Sequence, residues 1–421
     1  MIPRLLLPVL ACCFAVALPA APRHAVLLRE AAAASKAGDP ATALAKLQEA
    51  AQLRPDYPRL QLSLARLYAT LGRTDEALAA LQRLIDMGVH QDLDNDAGLA
   101  PLRDRPGTQA VFAALQPDPT PTGEPDEAAF VLTGVTGIIE SPLVDPDTLL
   151  WYFGDVRNRC IWQRQPDGSL KKFTSDEDAL DGVFKLALSA DRKTLWAATA
   201  TVGAMAGPDA EDGKRTALVA IDFATGRVRD RYPVPADGRK HLLGDFAFGR
   251  DGSIYATDTA SPVIWQLKPG APRLEVWVEN DDFLSLQGIA FSADGRNVFV
   301  ADYANGIWRI ALDNTATTRL TPSAHATFFG IDGLYAVPGG LLAVQNGVEP
   351  QRVLRIEPKA DGPSPTRVVA ALRPNMTDLA LGLVFNGRFH FVGNSGWALF
   401  DPPAATMPAV RSVTVLSAPL D

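Results

Sequence analysis

One strand pattern that recurs along residues 127–421 limits the fold of this chain more than any other feature. An apolar strand leads into a turn that contains Asp or Gly, and a second apolar strand follows. Six copies of the pattern begin at Glu140, Leu186, Asp245, Gly288, Asp332 and Leu381. They recur roughly every 50 residues, which is the length of a four-stranded propeller blade. The pattern therefore predicts a mostly β chain with a six-bladed β-propeller over residues 127–421.

The turns and the two ends of this region fit the same prediction. Asp251-Gly252 and Asp294-Gly295 are suited to tight hairpins, because glycine adopts positive φ at no steric cost. Equal spacing over six copies disfavours the competing fold, a two-sheet sandwich. A ring of blades also has to be closed, and we expect residues 413–416 to pair with residues 130–132.

A second repeat precedes the strands. Three apolar positions recur 34 residues further on, pairing Ala31 with Ala65, Ala43 with Ala77 and Leu47 with Leu81. The period and the small residues at the helix crossings resemble the tetratricopeptide repeat. We expect residues 23–116 to form an α-helical module of this kind, with residues 92–115 capping the two repeats. The four prolines in residues 117–126 then mark a stiff linker to the propeller.

The first 22 residues have the pattern of a secretory signal peptide. Arg4 precedes an apolar run over residues 5–18, and small residues and prolines follow. This predicts an exported chain, periplasmic or secreted, with no membrane span after cleavage, since the run is shorter than the roughly 20 residues needed. Cleavage would leave Cys160 as the only cysteine and would exclude an intramolecular disulfide.

Charge and motif content exclude several classes of function. The chain has 40 Lys and Arg against 48 Asp and Glu, a formal net charge of −8, without the basic clusters that bind nucleic acid. It also lacks a nucleophile elbow, a phosphate-binding loop, zinc-ligand spacing and a dinucleotide fingerprint. We therefore expect neither a nucleic-acid partner nor a nucleotide cofactor.

Polar residues recur where the innermost strand of a blade begins: Glu140, Asp245, Gln287 and Asp332. Such positions meet at the mouth of a propeller's central channel. Carboxylate and amide oxygens are ligands that Ca²⁺ accepts, and a cation would relieve the repulsion between the carboxylates. The pattern predicts a divalent-cation site, with Ca²⁺ first and Zn²⁺ or Mn²⁺ as alternatives. The other interpretation is that Asp332 forms a turn and Glu140 is a solvated loop charge.

The motifs around these residues resemble those of the senescence-marker-protein, gluconolactonase and strictosidine-synthase-like propellers. The matching stretches are Glu140-Ser-Pro, Gly244-Asp245, Gln287-Gly288 and Ile331-Asp332-Gly333. Those families have Glu-Gly-Pro, Asn-Asp, Asn-Gly and Asp-Gly, and in the lactonases the Glu, the two Asn and the Asp hold a divalent metal. The resemblance also implies that Asp332 acts as acid or base. Gly244 offers no side-chain oxygen, and Gln287 is one methylene longer than Asn.

Other polar residues have less specific patterns. His241 and His325 precede inner strands, and each is either a general base or an ordinary loop histidine. Four residues that end second strands are expected to cap turns: Asp155, Asp258, Asp302 and Asn346. Residues 202–215 form a long connection at the channel mouth and are a candidate lid.

Two functions follow from these features. The first is an exported, lactonase-like hydrolase in which a divalent cation polarises the carbonyl of a lactone, an ester or a sugar-derived ligand, with Asp332 or His241 activating water. The alternative is a non-catalytic module, with the propeller mouth as a ligand-binding surface and the helical repeats as a docking arm for a protein partner. Glu140 and Asp332 favour the first function, whereas Gly244 and Gln287 favour the second.

Overall fold

The computed structural model describes residues 21–103, 105–116, 120–123, 128–207, 210–400 and 410–420. Residues 1–20 of the predicted signal peptide lie outside this range, as does most of the predicted linker at 117–126. Within the described part of the chain, no helix has the length and apolar character needed to cross a membrane.

The N-terminal part is a helical module. Its helices are α1 (Arg23–Lys36), α2 (Pro40–Leu53), α3 (Pro58–Thr70), α4 (Thr74–Asp86), α5 (Ala100–Arg103) and α6 (Gln109–Leu115), with a 3-10 turn at Ala97–Leu99. Asp39 caps α2 by accepting a hydrogen bond from the Thr42 amide at 3.0 Å. Gly38 and Gly72 end the preceding helices at φ of 76° and 72°, a conformation that favours glycine.

The predicted repeat positions all lie in the core of this module. Ala31, Ala43, Leu47, Ala65, Ala77 and Leu81 are buried. The small alanines allow α1 to pack on α2 and α3 on α4, as the 34-residue period predicts. Leu99, Leu102 and Phe112, from the segment expected to cap the repeats, complete the same core.

Six four-stranded antiparallel sheets follow, and each forms one blade. Blade 1 contains β2 (Ile139–Val144), β3 (Trp151–Asp155), β4 (Cys160–Arg164) and β5 (Leu170–Lys172). Blade 2 contains β6 (Gly182–Leu188), β7 (Thr194–Ala200), β8 (Thr216–Asp222) and β9 (Val228–Pro233). Blade 3 contains β10 (Leu243–Phe248), β11 (Ile254–Asp258), β12 (Val263–Leu267) and β13 (Glu275–Glu279).

Blade 4 keeps strict chain order, whereas blades 5 and 6 depart from it. Blade 4 contains β14 (Leu286–Phe291), β15 (Asn297–Asp302), β16 (Gly306–Ala311) and β17 (Thr317–Arg319). Blade 5 contains β19 (Ile331–Val337), β20 (Gly340–Gln345), β21 (Arg352–Ile356) and β23 (Thr366–Ala371), while β18 (Thr321–Pro322) and β22 (Pro363–Ser364) form a short parallel pair. Blade 6 contains β24 (Gly382–Phe385), β25 (Arg388–Val392), β26 (Arg411–Pro419) and β1 (Ala128–Val135), and helix α7 (Trp397–Phe400) precedes β26.

The ring is closed by the two ends of the propeller sequence. Strand β1 pairs with β26, so that Phe130 faces Val415 and Leu132 faces Val413. This confirms the predicted closure. Blade 6 therefore combines one strand from the start of the propeller with three from its end.

Buried aspartates hold the second strands of three blades. Asp258 accepts hydrogen bonds from the Leu242 amide at 2.9 Å and from the Trp265 indole at 3.0 Å. Asp155 and Asp302 accept corresponding bonds from backbone amides and from the tryptophans of their own blades. The structural role predicted for these three aspartates is confirmed.

Candidate functional site

A cavity of about 490 Å³ lies at the mouth of the central channel, and we call it the channel cavity. Its walls include all four residues that the sequence predicts to converge, namely Glu140, Asp245, Gln287 and Asp332. They lie within the first residues of β2, β10, β14 and β19, the inner strands of four different blades. The other polar lining residues that matter below are Thr259, Tyr303, Asn346, Gln351, Asp378 and Trp397.

Local irregularities of the inner strands aim these side chains into the cavity. The pairing of the first and second strands shifts register near the start of the inner strand in blades 1 to 5. A bulge of this kind re-aims a side chain that regular alternation would turn into the sheet. It lies at or next to Glu140, Asp245, Gln287 and Asp332, and in blade 2 at Lys185.

Lys185 is a charged residue beneath the channel cavity that sequence analysis missed. Its ammonium lies 2.9 Å from Asp245 Oδ1 and 5.2 Å from the ring centre of Tyr335, and its side chain is only 12% exposed. Burial raises the pKa of Asp245, and Lys185 acts against that rise. Asp245 thus has its own counter-ion. The signal was available, because Lys185 directly precedes the copy that begins at Leu186.

The carboxyl groups of Glu140 and Asp332 are electrostatically strained. Burial and the neighbouring Asp332 carboxylate raise the pKa of Glu140 well above its usual range, although Trp397 Nε1 donates a hydrogen bond to Glu140 Oε2 at 2.5 Å. Burial also raises the pKa of Asp332 to about 6, with a further contribution from Asp245. Asn346 Nδ2 opposes this rise by donating to Asp332 Oδ2 at 2.9 Å.

Asn346 differs from the aspartates with which the sequence groups it. The residue that faces Ile331 across blade 5 is Gln345, in the place that Asp155, Asp258 and Asp302 take in their blades. Asn346 lies one residue further along and lines the channel cavity, so its predicted role as a turn cap is wrong. Its Nδ2 also donates to the Leu379 carbonyl at 2.9 Å.

Gly244 and Gln287 are adjacent in space. A Cβ atom at Gly244 would lie 2.8 Å from Thr259 Oγ1 and 3.1 Å from Gln287 Oε1. The longer side chain of Gln287 therefore occupies space next to Gly244 that a side chain at position 244 would need. The two departures from the motif pattern are coupled by this contact.

The predicted histidines lie elsewhere. His241 Nδ1 is 2.6 Å from Asp258 Oδ2 and its Nε2 is 2.9 Å from Asp237 Oδ1, so both ring nitrogens are engaged. Burial opposes protonation, but the two carboxylates outweigh it and raise the pKa of His241. His241 lines a groove distinct from the channel cavity, and His325 is exposed at the surface.

Aromatic and apolar side chains form one side of the cavity mouth. The connection from β7 to β8 places Val202 in the cavity wall, with Ala204 and Met205 buried behind it. The Trp397 ring lies 6.1 Å from the ring of Phe184. Residues 202–205 of the candidate lid are thus a packed part of the wall.

The oxygen atoms of the channel cavity fit a divalent cation. No group of three or more His, Cys, Asp and Glu side chains in the described ranges is arranged to hold a metal ion, so amide oxygens would have to complete a site. Glu140, Asp332, Gln287 and Asn346 supply carboxylate and amide oxygens of the kind that Ca²⁺ accepts. Asn346 Oδ1 and Asp245 Oδ2 are buried, and neither has a hydrogen-bond partner among the described residues. A cation would satisfy such acceptors and offset the carboxylate repulsion.

Comparisons with known proteins give matches to two family models and to solved structures. The family model described as the SMP-30/gluconolactonase/LRE-like region matches residues 138–382, and a tetratricopeptide repeat model matches residues 34–91. A gluconolactonase structure from Xanthomonas campestris has 16% identity and a TM-score of 0.47, covering 72% of this chain and 95% of that chain. A streptogramin B lyase structure has 14% identity and a TM-score of 0.46, covering 70% of this chain and 90% of that chain. A comparison with curated proteins finds no match.

Proposed function

The chain belongs to the SMP-30/gluconolactonase/LRE-like family, and we propose that it is an exported lactonase-type hydrolase that works with a divalent cation in the channel cavity. The observation that carries this proposal is the meeting of Glu140, Asp332 and the unpartnered Asn346 oxygen in one cavity. Carboxyl groups with raised pKa values in a cleft are typical of catalytic and ligand-binding sites.

Four side chains would hold the cation: Glu140, Gln287, Asp332 and Asn346. Asp245, which the sequence analysis included among the ligands, supports the site from behind, because Lys185 engages one of its oxygens. Ca²⁺ is the first candidate because every donor is an oxygen, and Zn²⁺ and Mn²⁺ are alternatives. When bound, such a cation polarises the carbonyl of a lactone or ester.

Asp332 is the general base of the proposed reaction. Without a cation its pKa is raised to about 6, so it is ionised at neutral pH, and its carboxylate can accept a proton from water. The water oxygen adds to the lactone carbonyl carbon, and the bond between that carbon and the ring oxygen breaks. The proton held on Asp332 passes to the departing ring oxygen, and the product is a hydroxy acid. His241 is not assigned this role, since carboxylates engage both of its ring nitrogens.

The charge of the channel cavity indicates the charge of its ligand. Glu140, Asp245, Asp332 and Asp378 line the cavity, and no Lys or Arg is found among its lining residues in the described chain. A phosphorylated or carboxylated ligand would be repelled. We therefore propose a neutral lactone, ester or sugar-derived ligand, whose ring can lie against Tyr303 or Trp397.

Hydrolysis of D-glucono-1,5-lactone, followed with a pH indicator, tests this function. The protein is first stripped with EDTA, and Ca²⁺, Zn²⁺ or Mn²⁺ is then added back. We expect turnover with at least one cation, and its loss in Asp332→Asn. Asp167→Asn, which alters an exposed turn carboxylate, is the matched control and should retain turnover. Turnover that survives in Asp332→Asn would refute the proposed role of Asp332.

A non-catalytic ligand-binding module is the second candidate function. The coupled pair of Gly244 and Gln287 favours it, because a cation site there has lost one side chain and lengthened another. In that case a neutral lactone would raise the unfolding temperature without being turned over. The helical repeats would then serve as an arm for a protein partner.

Export belongs to the same proposal and depends on residues 1–22. Expression of the whole chain in a bacterium with a secretory pathway tests it directly. We expect the protein in the periplasm or the medium, with a mature N-terminus close to Arg23. A cytoplasmic product that retains residues 1–22 would contradict export.

A further inference from the structure

We infer that the helical module is a positioning element of the channel cavity, because it holds the two loops that carry Tyr303, Asn346 and Gln351. These loops are residues 303–305, between β15 and β16, and residues 346–351, between β20 and β21. The inference extends the proposed function, since it adds a role in ligand affinity to a module outside the cavity.

The connection between α2 and α3 contacts the first loop through hydrogen bonds. Arg54 is 2% exposed, and its Nε and Nη2 bond both oxygens of Asp56 at 3.0 and 3.2 Å. Its remaining nitrogen, Nη1, donates to Asn305 Oδ1. Asn305 lies two residues after Tyr303 in the same turn, and its Nδ2 donates to the Asp282 carbonyl at 2.8 Å. A buried guanidinium in this geometry fixes the position of both partners.

Aromatic packing reinforces this contact. Phe329, from the segment before β19, lies in the core of the helical module, and its ring centre is 4.9 Å from that of Tyr57. The Tyr303 ring centre lies 6.1 Å from that of Phe329. Thr327 Oγ1 donates to the Asp56 carbonyl at 2.7 Å. An unbroken set of contacts thus runs from the helical module to a side chain of the channel cavity.

The residues that follow α4 contact the second loop through hydrogen bonds. Arg352 donates from Nη1 to the Gly88 carbonyl at 2.7 Å and from Nη2 to the Met87 carbonyl at 3.2 Å. Its Nε donates to Gln345 Oε1 at 2.6 Å. The His90 amide donates to the Glu349 carbonyl at 2.8 Å. Residues 345–352, which include Asn346 and Gln351, are therefore tied to the helical module at three points.

The two sides of the channel cavity differ in their support. Glu140 and Asp245 lie within strands of the propeller, whereas Tyr303, Asn346 and Gln351 follow strand ends. Loops are less fixed than strands unless other groups hold them. The module thus adds contacts to the loops on this side of the cavity, and a docking arm would have to use another face of the helices.

Arg54→Met tests this inference through the split between KM and kcat for D-glucono-1,5-lactone. We expect KM to rise about tenfold while kcat stays within about twofold, because Tyr303 contacts the ligand but not the reacting bond. Arg54→Lys should give an intermediate KM, since one ammonium cannot bond both Asp56 and Asn305 in the same way. Arg66→Met removes an ion pair internal to the helical module and should change neither constant.

Hydrogen exchange in the same full-length variants gives a readout that needs no turnover. Amides of residues 302–306 and 327–330 should exchange faster in Arg54→Met than in the wild type, and those of blades 1 and 2 should not change. Asn305→Ala should reproduce both effects, and it decides the matter if Arg54→Met does not fold.

An unchanged KM with unchanged exchange would overturn the inference. Loss of kcat at constant KM would also overturn it, since it would show only that less protein is folded. If the wild type shows no turnover but Arg54→Met still exchanges faster than the wild type, the proposed function is refuted and the positioning role remains.

Discussion

At the residue scale, Lys185 and Asp245 are the clearest example of a buried ion pair. Two ions removed from water are tolerated only when each has the other within hydrogen-bond distance, and here the distance is 2.9 Å. The pair also explains why Asp245 lines the channel cavity without being free to act as a full ligand. One of its oxygens is held by Lys185, and the other has no partner among the described residues.

Removal of Lys185 alone should therefore be costly. We expect Lys185→Met to lower the free energy of unfolding by about 3–5 kcal/mol, because it leaves the Asp245 charge buried without a counter-ion. The double variant Lys185→Met, Asp245→Asn should lose less than the sum of the two single variants. Urea denaturation measures all three. Additive losses would show that the two side chains do not interact as described.

Gly244 and Gln287 give a second prediction at this scale. Gly244→Asn should destabilise the protein by about 1–3 kcal/mol, since its Cβ would press on Thr259 and Gln287. Shortening the neighbour in Gly244→Asn, Gln287→Asn should recover part of this loss. Thermal unfolding of the two single variants and the double variant measures the coupling. If the double variant is no more stable than Gly244→Asn alone, the two positions are independent.

The raised pKa of Asp332 has a consequence for stability that can be given a sign. A carboxyl whose pKa is higher in the folded state binds more protons there, so its contribution to stability falls as the pH rises through about 4 to 6. Asp332→Asn removes this penalty. We expect the variant to unfold at a higher temperature than the wild type at pH 8 in EDTA, with the difference shrinking toward pH 4. A pH-independent difference would contradict the raised pKa.

At the scale of elements, the blade pattern was readable because each copy repeats its apolar strands, turns and closing residues. Asp155, Asp258 and Asp302 were recognisable as structural for the same reason. Asn346 was not, because only the pairing of Ile331 with Gln345 reveals that blade 5 is offset by one residue. A shift of one residue moves a side chain to another surface, and sequence spacing alone does not fix it.

The side chains that complete the channel cavity were harder to predict than the strands. Trp397, Asp378 and Gln351 come from connections that do not repeat between blades, so no periodic signal marks them. Lys185 was missed, although it directly precedes the copy that begins at Leu186. The convergence of Glu140, Asp245, Gln287 and Asp332, in contrast, follows from their equivalent places in successive blades.

At the scale of the whole molecule, the helical module and the propeller should behave as one folding unit. Arg54 and Arg352 are buried where the two meet, and Phe329 and Val348 of the propeller belong to the core of the helices. Separation would expose these apolar surfaces and remove the hydrogen bonds that Arg54 and Arg352 make between the two parts. Calorimetric unfolding of the full chain should therefore show one transition. Two well-separated transitions, one of them matching the isolated helices, would contradict this prediction.

The most direct measurement for the proposed function is thermal unfolding of the mature chain in EDTA, repeated with Ca²⁺, Zn²⁺ or Mn²⁺ in excess. A ligand that binds only the folded state raises the unfolding temperature by mass action. We predict a rise with one of these cations that is lost in Asp332→Asn and in Glu140→Gln, and retained in Asp167→Asn. No rise with any cation, or an equal rise in all four proteins, would contradict a cation site built by Glu140 and Asp332.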